Sequence, residues 1–183
     1  MIIINDEKIA EKARSLKNLS FPKGKRIYKH QDVGYNYRMT NIQAAIGLAQ
    51  LEKIDELVER RRKNAHLYNE LLKGVEGIAL PVEKEWVKNV YWMYSILIEE
   101  EFGMSRDKIM DKLEEKGIET RPFFVPIHQQ PVFHKMGWYE DENYPITERL
   151  AITGINLPSS SGLKEEEIRY ICDVIKSIKE DLK

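Results

Sequence analysis

Through residues 40–74 the apolar side chains of Ile42, Ala45, Ile46, Ala49, Leu51, Ile54, Leu57 and Val58 recur at helical spacing. This pattern constrains the chain more than any other. It predicts one long helix, capped by Thr40 or Asn41 and ended by Gly74 and Gly77. A helix of that length exceeds the usual globular range, so it either bends or crosses a large interface.

The flanking segments are shorter. Residues 2–4, three isoleucines, predict a buried strand. Asn5 or Asp6 can cap a helix reaching Lys17, with Ile9, Ala10, Ala13 and Leu16 on one face. Pro22, Gly24 and Gly34 mark an irregular loop. Beyond residue 75 strands and helices alternate. Strands are predicted over 78–81, 90–98, 118–121 (stopped by Pro122) and 155–158. A helix capped by Ser105 turns Ile109, Met110 and Leu113 inward and ends at Gly117. Residues 123–142 read as a loop, 147–151 as a short helix, and 164–179 as a closing helix striped by Ile168, Ile171, Val174, Ile175 and Ile178. The pattern is that of an α+β unit, a small antiparallel sheet with helices on one face.

Composition excludes several classes. A formal charge of -1, from 29 basic and 30 acidic residues, argues against a nucleic-acid partner. The densest basic run, Arg60-Arg61-Arg62-Lys63, reads as a solvated helix face with ion pairs between turns. No apolar run approaches the roughly 20 residues of a membrane helix, and residues 1–4 are too short for a signal sequence. No membrane partner and a cytoplasmic setting are therefore expected. Cys172, the sole cysteine, lies on a helical stripe and reads as a buried, inert thiol.

His128 and His134 lie six apart without carboxylates at ligand spacing, so no metal site is expected. No glycine-rich phosphate cradle is present, and Ser159-Ser160-Ser161 reads as a turn rather than part of a hydrolytic triad. Two loop segments carry unusual polar sets. Asn36 and Arg38 stand just before the long helix, where a carboxamide, a guanidinium and a helix dipole together suit an anion. They could equally serve only to organise the helix entry. Arg121 and His128 flank a proline-stiffened strand exit that could meet a phosphorylated substrate or simply pack.

Three runs resemble one known family. GYNYRMTNIQAAIGLAQL (34–51), GIETRPFFVPIHQQPVF (117–133) and INLPSSSGLKEEEI (155–168) are similar, in order and spacing, to the markers of the DegT/DnrJ/EryC1/StrS nucleotide-sugar aminotransferases. The likeness is greatest to the perosamine-synthase-like enzymes that aminate keto-sugars for surface polysaccharides, and it covers essentially the whole chain. The resemblance implies the carboxy-terminal part of a type I aminotransferase fold, working as a homodimer with pyridoxal phosphate near the subunit interface. It implies that Asn36 reaches the phosphate of the neighbouring subunit's cofactor, that Arg38 lies close by, and that Arg121 and His128 border the nucleotide-sugar pocket. Residues 1–39 would then be a remnant of the large cofactor domain, 40–74 an interface helix and 75–183 the small domain.

In that family the catalytic lysine precedes a glycine-rich turn and then a segment like MIIINDEKIAEKARSL, with which this sequence begins. The lysine, the ring-stacking residue and the carboxylate facing the pyridine nitrogen are thus expected outside this chain, and no residue of it is assigned a catalytic role. Lys23 and Lys25 read as solvated. Two readings follow. In one, the chain is part of an aminotransferase using a nucleotide-linked keto-sugar and an amino donor, inactive alone and either completed by a separate amino-terminal polypeptide or cut short, as by a gene lesion. In the other, it is a non-catalytic dimerisation or partner-binding module.

Overall fold

The computed structural model describes residues 2–21, 24, 28–139 and 141–182. Lys23 and Lys25 lie outside the described residues. The chain divides into two compact units, Met1–Lys53 and Ile54–Lys183.

In the first unit, α1 spans Glu7–Leu16, and Asp6 caps it by accepting the Ile9 amide at 3.0 Å. Residues 2–4 do not form the expected strand. Ile2 and Ile3 are exposed, and no described strand pairs with them. A strand needs a partner edge, which periodicity cannot supply. Helix α2 spans Asn41–Leu51 and opens on a capping box: the Gln43 amide donates to Thr40 Oγ1 (3.2 Å), and the Thr40 amide donates to Gln43 Oε1 (2.8 Å). No α2 residue is buried.

The expected long helix is realised as two helices. Residues 52–53 form a turn in which Glu52 keeps right-handed helical dihedrals, and α3 begins the second unit over Ile54–Leu72, buried at Ala65, Tyr68 and Leu72. Gly74 follows in the left-handed region (φ 79°), which ends the helix as expected. Strands β1 (Ile78–Ala79), β2 (Tyr94–Ile98), β3 (Arg121–Pro122) and β4 (Gly154–Leu157) form one antiparallel sheet in the order β1-β2-β4-β3. Pro122 does not stop β3 but belongs to it, because an edge strand tolerates a residue without an N–H. Strand β2 starts later than expected. Tyr91 takes a left-handed φ of 45°, and its amide donates to Asn89 Oδ1, so 89–92 turns instead of extending.

Helices α4 (Arg106–Glu115), α5 (Pro131–His134), α6 (Pro145–Thr153) and α7 (Glu165–Glu180) complete the unit. Ser105 occupies the cap position of α4, yet its side chain makes no capping bond. Tyr94, Ile96 and Ile98 of β2, with Ile155 and Leu157 of β4, face a core closed by Tyr68 and Leu72 of α3, Ile109 and Leu113 of α4, and Ile168, Ile171, Cys172, Ile175 and Ile178 of α7. Each large side chain so buried contributes about 1.5–3 kcal/mol. Burial pushes the Cys172 thiol up to about 12, consistent with an inert group. Among the described residues no helix is long and apolar enough to cross a membrane.

The basic run on α3 is only partly a solvated face. Arg60 pairs with Glu56 one turn back. Arg61 instead donates to the carbonyls of Trp92 (2.8 Å) and Ser159 (2.9 Å), and Arg62 donates to Glu83 Oε1 (2.6 Å). Glu83 also accepts the Asn89 amide (2.7 Å) and the Tyr91 hydroxyl (3.3 Å). The Arg62 bond first, then the Asn89 amide, hold its carboxyl down at about 2 against an ordinary 4.5. A depressed carboxyl stabilises the fold fully above its unfolded value and loses that contribution as pH falls through the folded value. Glu83→Gln is therefore expected to be less stable than the parent at neutral pH, with the gap shrinking between about pH 4.5 and pH 2. Denaturant titrations across that range check this; a constant or widening gap would contradict it.

Candidate functional site

In the first unit, the segment carrying Asn36 and Arg38 lies along the chain that leaves α1. The Leu19 amide donates to Tyr35 O (3.0 Å), the Tyr35 amide to Leu16 O (2.7 Å) and the Tyr37 amide to Lys17 O (3.0 Å), with Asn18 and Asn36 bridged antiparallel. Leu19 and Ser20 both take left-handed φ, 60° and 53°, and their backbone lies against Gly34. A Cβ on Gly34 would stand 2.4 Å from Leu19 C and 2.5 Å from Ser20 N. Glycine is required there by that close approach.

This pairing displays Asn36 and Arg38 together, two to four residues ahead of the α2 cap, with Asn36 between Tyr35 and Tyr37 in sequence, whose rings stack (centroids 5.2 Å apart). Arg38 Nε donates to Asn36 Oδ1 at 3.1 Å. That bond uses the one acceptor of the pair. Asn36 Nδ2 and the two terminal guanidinium nitrogens take no partner among the described residues, so what the pair offers outward is mainly N–H donors.

Arg121 and His128 lie in the second unit, and no bond joins them. Arg121 is exposed on β3, its guanidinium 3.7 Å from Glu119. Its strand is fixed from behind: Asn156 Nδ2 donates to Arg121 O (3.3 Å), and Asn156 Oδ1 accepts from Ser95 Oγ (2.6 Å). His128 sits in a 3-10 turn over Ile127–Gln129 and is only 8% exposed. Its Nε2 lies 2.9 Å from Glu148 Oε1, which also accepts the Tyr144 amide at 3.0 Å. The Tyr144 amide first, and His128 second, hold the Glu148 carboxyl below the ordinary carboxylate value. Tyr144 also meets the imidazole edge-on at 4.9 Å, and His134 Nε2 donates to His128 O.

The expected loop over 123–142 thus contributes His128 and His134 to a folded polar cluster. Glu148 is its centre, and the sequence reading overlooked it. A proline at the first helical position was the signal available, because Pro145 opens α6 one turn before Glu148. Another candidate, an open groove of about 560 Å³ between α3 and α7, carries both signs of charge, and its arginines Arg62 and Arg169 are committed to Glu83 and Glu165. It offers no net charge to select a ligand.

The sequence model of the DegT/DnrJ/EryC1/StrS aminotransferase family matches residues 1–176. The chain belongs to that family. It is 39% identical to a GDP-perosamine synthase of Vibrio cholerae over 177 residues, covering 97% of this chain and 47% of the relative. A GDP-perosamine synthase of Escherichia coli O157:H7 is 37% identical, covering 99% and 47% respectively. Among solved structures, the Streptococcus pneumoniae protein Spr1654 in its PLP form superposes with a TM-score of 0.84 at 26% identity, over 98% of this chain and 45% of that one. The chain spans about half the length of the curated relatives it matches. The fold is that of the carboxy-terminal part of such enzymes, and pyridoxal phosphate is the cofactor the family implies. The free N–H donors of Asn36 and Arg38 suit its phosphate group.

Gly34→Ala is expected to break the pairing that presents Asn36, since the added Cβ meets backbone atoms that cannot rotate away. Overpacking of this kind costs about 1–3 kcal/mol. Hydrogen exchange should show lost protection at the Leu19, Tyr35 and Tyr37 amides; unchanged protection would contradict the close-approach argument.

Proposed function

We propose that this chain is the carboxy-terminal part of a cytoplasmic aminotransferase that uses pyridoxal phosphate to aminate a nucleotide-linked keto-sugar. The observation that carries the reading is the bonded pair Asn36 and Arg38, a donor-rich group set just ahead of a capped helix in a chain of this family. Pyridoxal phosphate, when bound, supplies the electron sink for amino transfer. Asn36 Nδ2 and the Arg38 guanidinium hold its phosphate, and Arg121 and His128 border the sugar-nucleotide pocket. The catalytic lysine comes from residues outside 1–183. The enzyme acts as a homodimer, a reading supported by the exposed apolar surface of α2, where Ile42, Ile46, Leu48 and Leu51 are uncovered.

The direct test is reduction. Chain 1–183 mixed with pyridoxal phosphate and treated with borohydride is expected to carry no single labelled lysine. One stoichiometric adduct, mapped by mass spectrometry, would overturn the placement of the catalytic lysine. In the enzyme completed by its remaining half, Asn36→Ala is expected to weaken cofactor retention by about 1–3 kcal/mol, as for a charge-assisted bond. Unchanged retention, measured by dialysis against a series of cofactor concentrations, would remove Asn36 from the site.

A further inference from the structure

We propose that His30 is a positioning residue for the phosphate donors: its Nδ1–H locks the Leu19–Ser20 corner, and that corner sets where Asn36 and Arg38 stand. The proposal rests on the phosphate reading of Asn36 and Arg38 given above, and adds to it what holds the pair in place.

Leu19 and Ser20 are consecutive left-handed residues, φ 60° and 53°, and both carry side chains. Such backbone is costly and persists only where its surroundings fix it. All four backbone polar groups of the two residues are bonded. The Leu19 amide donates to Tyr35 O (3.0 Å) and the Ser20 amide to Ser15 O (2.9 Å). Ser20 O accepts the Gln31 amide (3.1 Å), and Leu19 O accepts from His30 Nδ1 at 2.6 Å. The first three bonds join backbone to backbone, so almost any sequence could supply them. The fourth comes from a side chain. Ser20 Oγ, fully buried and without a partner, adds nothing to the corner. Among the described residues, His30 is thus the one side chain whose hydrogen bond holds this turn.

The corner is joined to the site along the backbone. Gly34 lies against Leu19 and Ser20, the Leu19 amide fastens Tyr35, and Asn18 is bridged to Asn36. Asn36 therefore takes its place from the stretch that runs into the corner, and Arg38 is bonded to Asn36. His30 is itself fixed over the turn. Its ring stacks on Phe21 (centroids 4.7 Å apart, planes 29° apart), and Asp32, two residues on, pairs with Lys12 of α1. A carbonyl only accepts, so the Nδ1 facing Leu19 O bears the proton.

Imidazole ¹⁵N spectra of chain 1–183, recorded well above the ordinary histidine value of about 6.5, read that proton directly. His30 is expected to show a protonated Nδ1 and an unprotonated Nε2. A proton on Nε2, or exchange between the two nitrogens, would overturn the proposal. Ligand retention in the enzyme completed by its remaining half, measured by dialysis, then separates the bond from the ring. His30→Phe keeps a ring against Phe21 but loses the donor, whereas His30→Asn loses the ring and puts an amide N–H in the place of Nδ1. His30→Phe is expected to weaken pyridoxal phosphate about two- to tenfold, the span of one hydrogen bond. Pyridoxal, which lacks the phosphate, should be held as in the parent. His30→Asn is expected to match the parent for both ligands. Equal losses of both ligands, an unaffected His30→Phe, or a His30→Asn as weak as His30→Phe would each contradict the positioning role. Asn36→Ala is the control. Where it weakens pyridoxal phosphate and His30→Phe does not, the role of His30 alone falls; where it does not, the phosphate reading falls and takes this proposal with it.

Discussion

Two stacked tyrosines hold the second unit together. Tyr68 of α3 and Tyr94 of β2 lie 4.5 Å apart, fully buried, and burial pushes both phenols far above their ordinary range. Rings of this size contribute about 0.5–1.5 kcal/mol from stacking beyond their area, but their hydroxyls must then find partners inside. Tyr68 donates to Pro158 O at 2.9 Å and Tyr94 donates to Asn69 Oδ1 at 2.7 Å. Satisfying those groups ties α3 to the chain leaving β4 and to the start of β2. Arg61 repeats the tie through Trp92 O and Ser159 O. With β2 and β4 set in register, β3 pairs against Asn156 and α6 enters β4 directly, and the positions of Arg121 and His128 follow.

The first unit is built differently. Neither α1 nor α2 buries a residue, and α2 exposes Ile42, Ile46, Leu48 and Leu51. Its order comes from backbone pairing between the 16–19 and 35–37 stretches and from a capping box, which fix local geometry without a core of their own. Hydrogen bonds exposed to water contribute only about 0.5–1.5 kcal/mol each. Such a unit gains most of its stability from whatever covers α2. The cofactor-phosphate donors and the uncovered helix occur in the same short stretch, so covering the helix and completing the site are the same event under the proposed function.

Much of the second unit was legible in the sequence because its signals are local. The α7 stripe, the Gly74 stop and the small antiparallel sheet all follow from periodicity and backbone preference. What escaped was set by distant partners. Three isoleucines at 2–4 look like a strand in any window, yet no strand among the described residues pairs with them. Arg61 and Arg62 look like solvent-facing residues until the 83–92 turn folds back over them. Asn36 and Arg38 were legible from residue type and place as the anion-site candidates of the proposed function. Glu148 was not, because its role depends on a histidine twenty residues away in sequence.

The second unit carries its own core, whereas the first needs a covering surface. Amide exchange of chain 1–183, followed by mass spectrometry at several protein concentrations, measures this directly. The β2, β4 and α7 amides are expected to exchange slowly and independently of concentration, reporting the core's own stability. The α2 amides are expected to exchange far faster in dilute solution and to slow as concentration rises and copies cover one another. An α2 as protected as α7 at every concentration would show that the chain completes its own first unit, and would contradict the account.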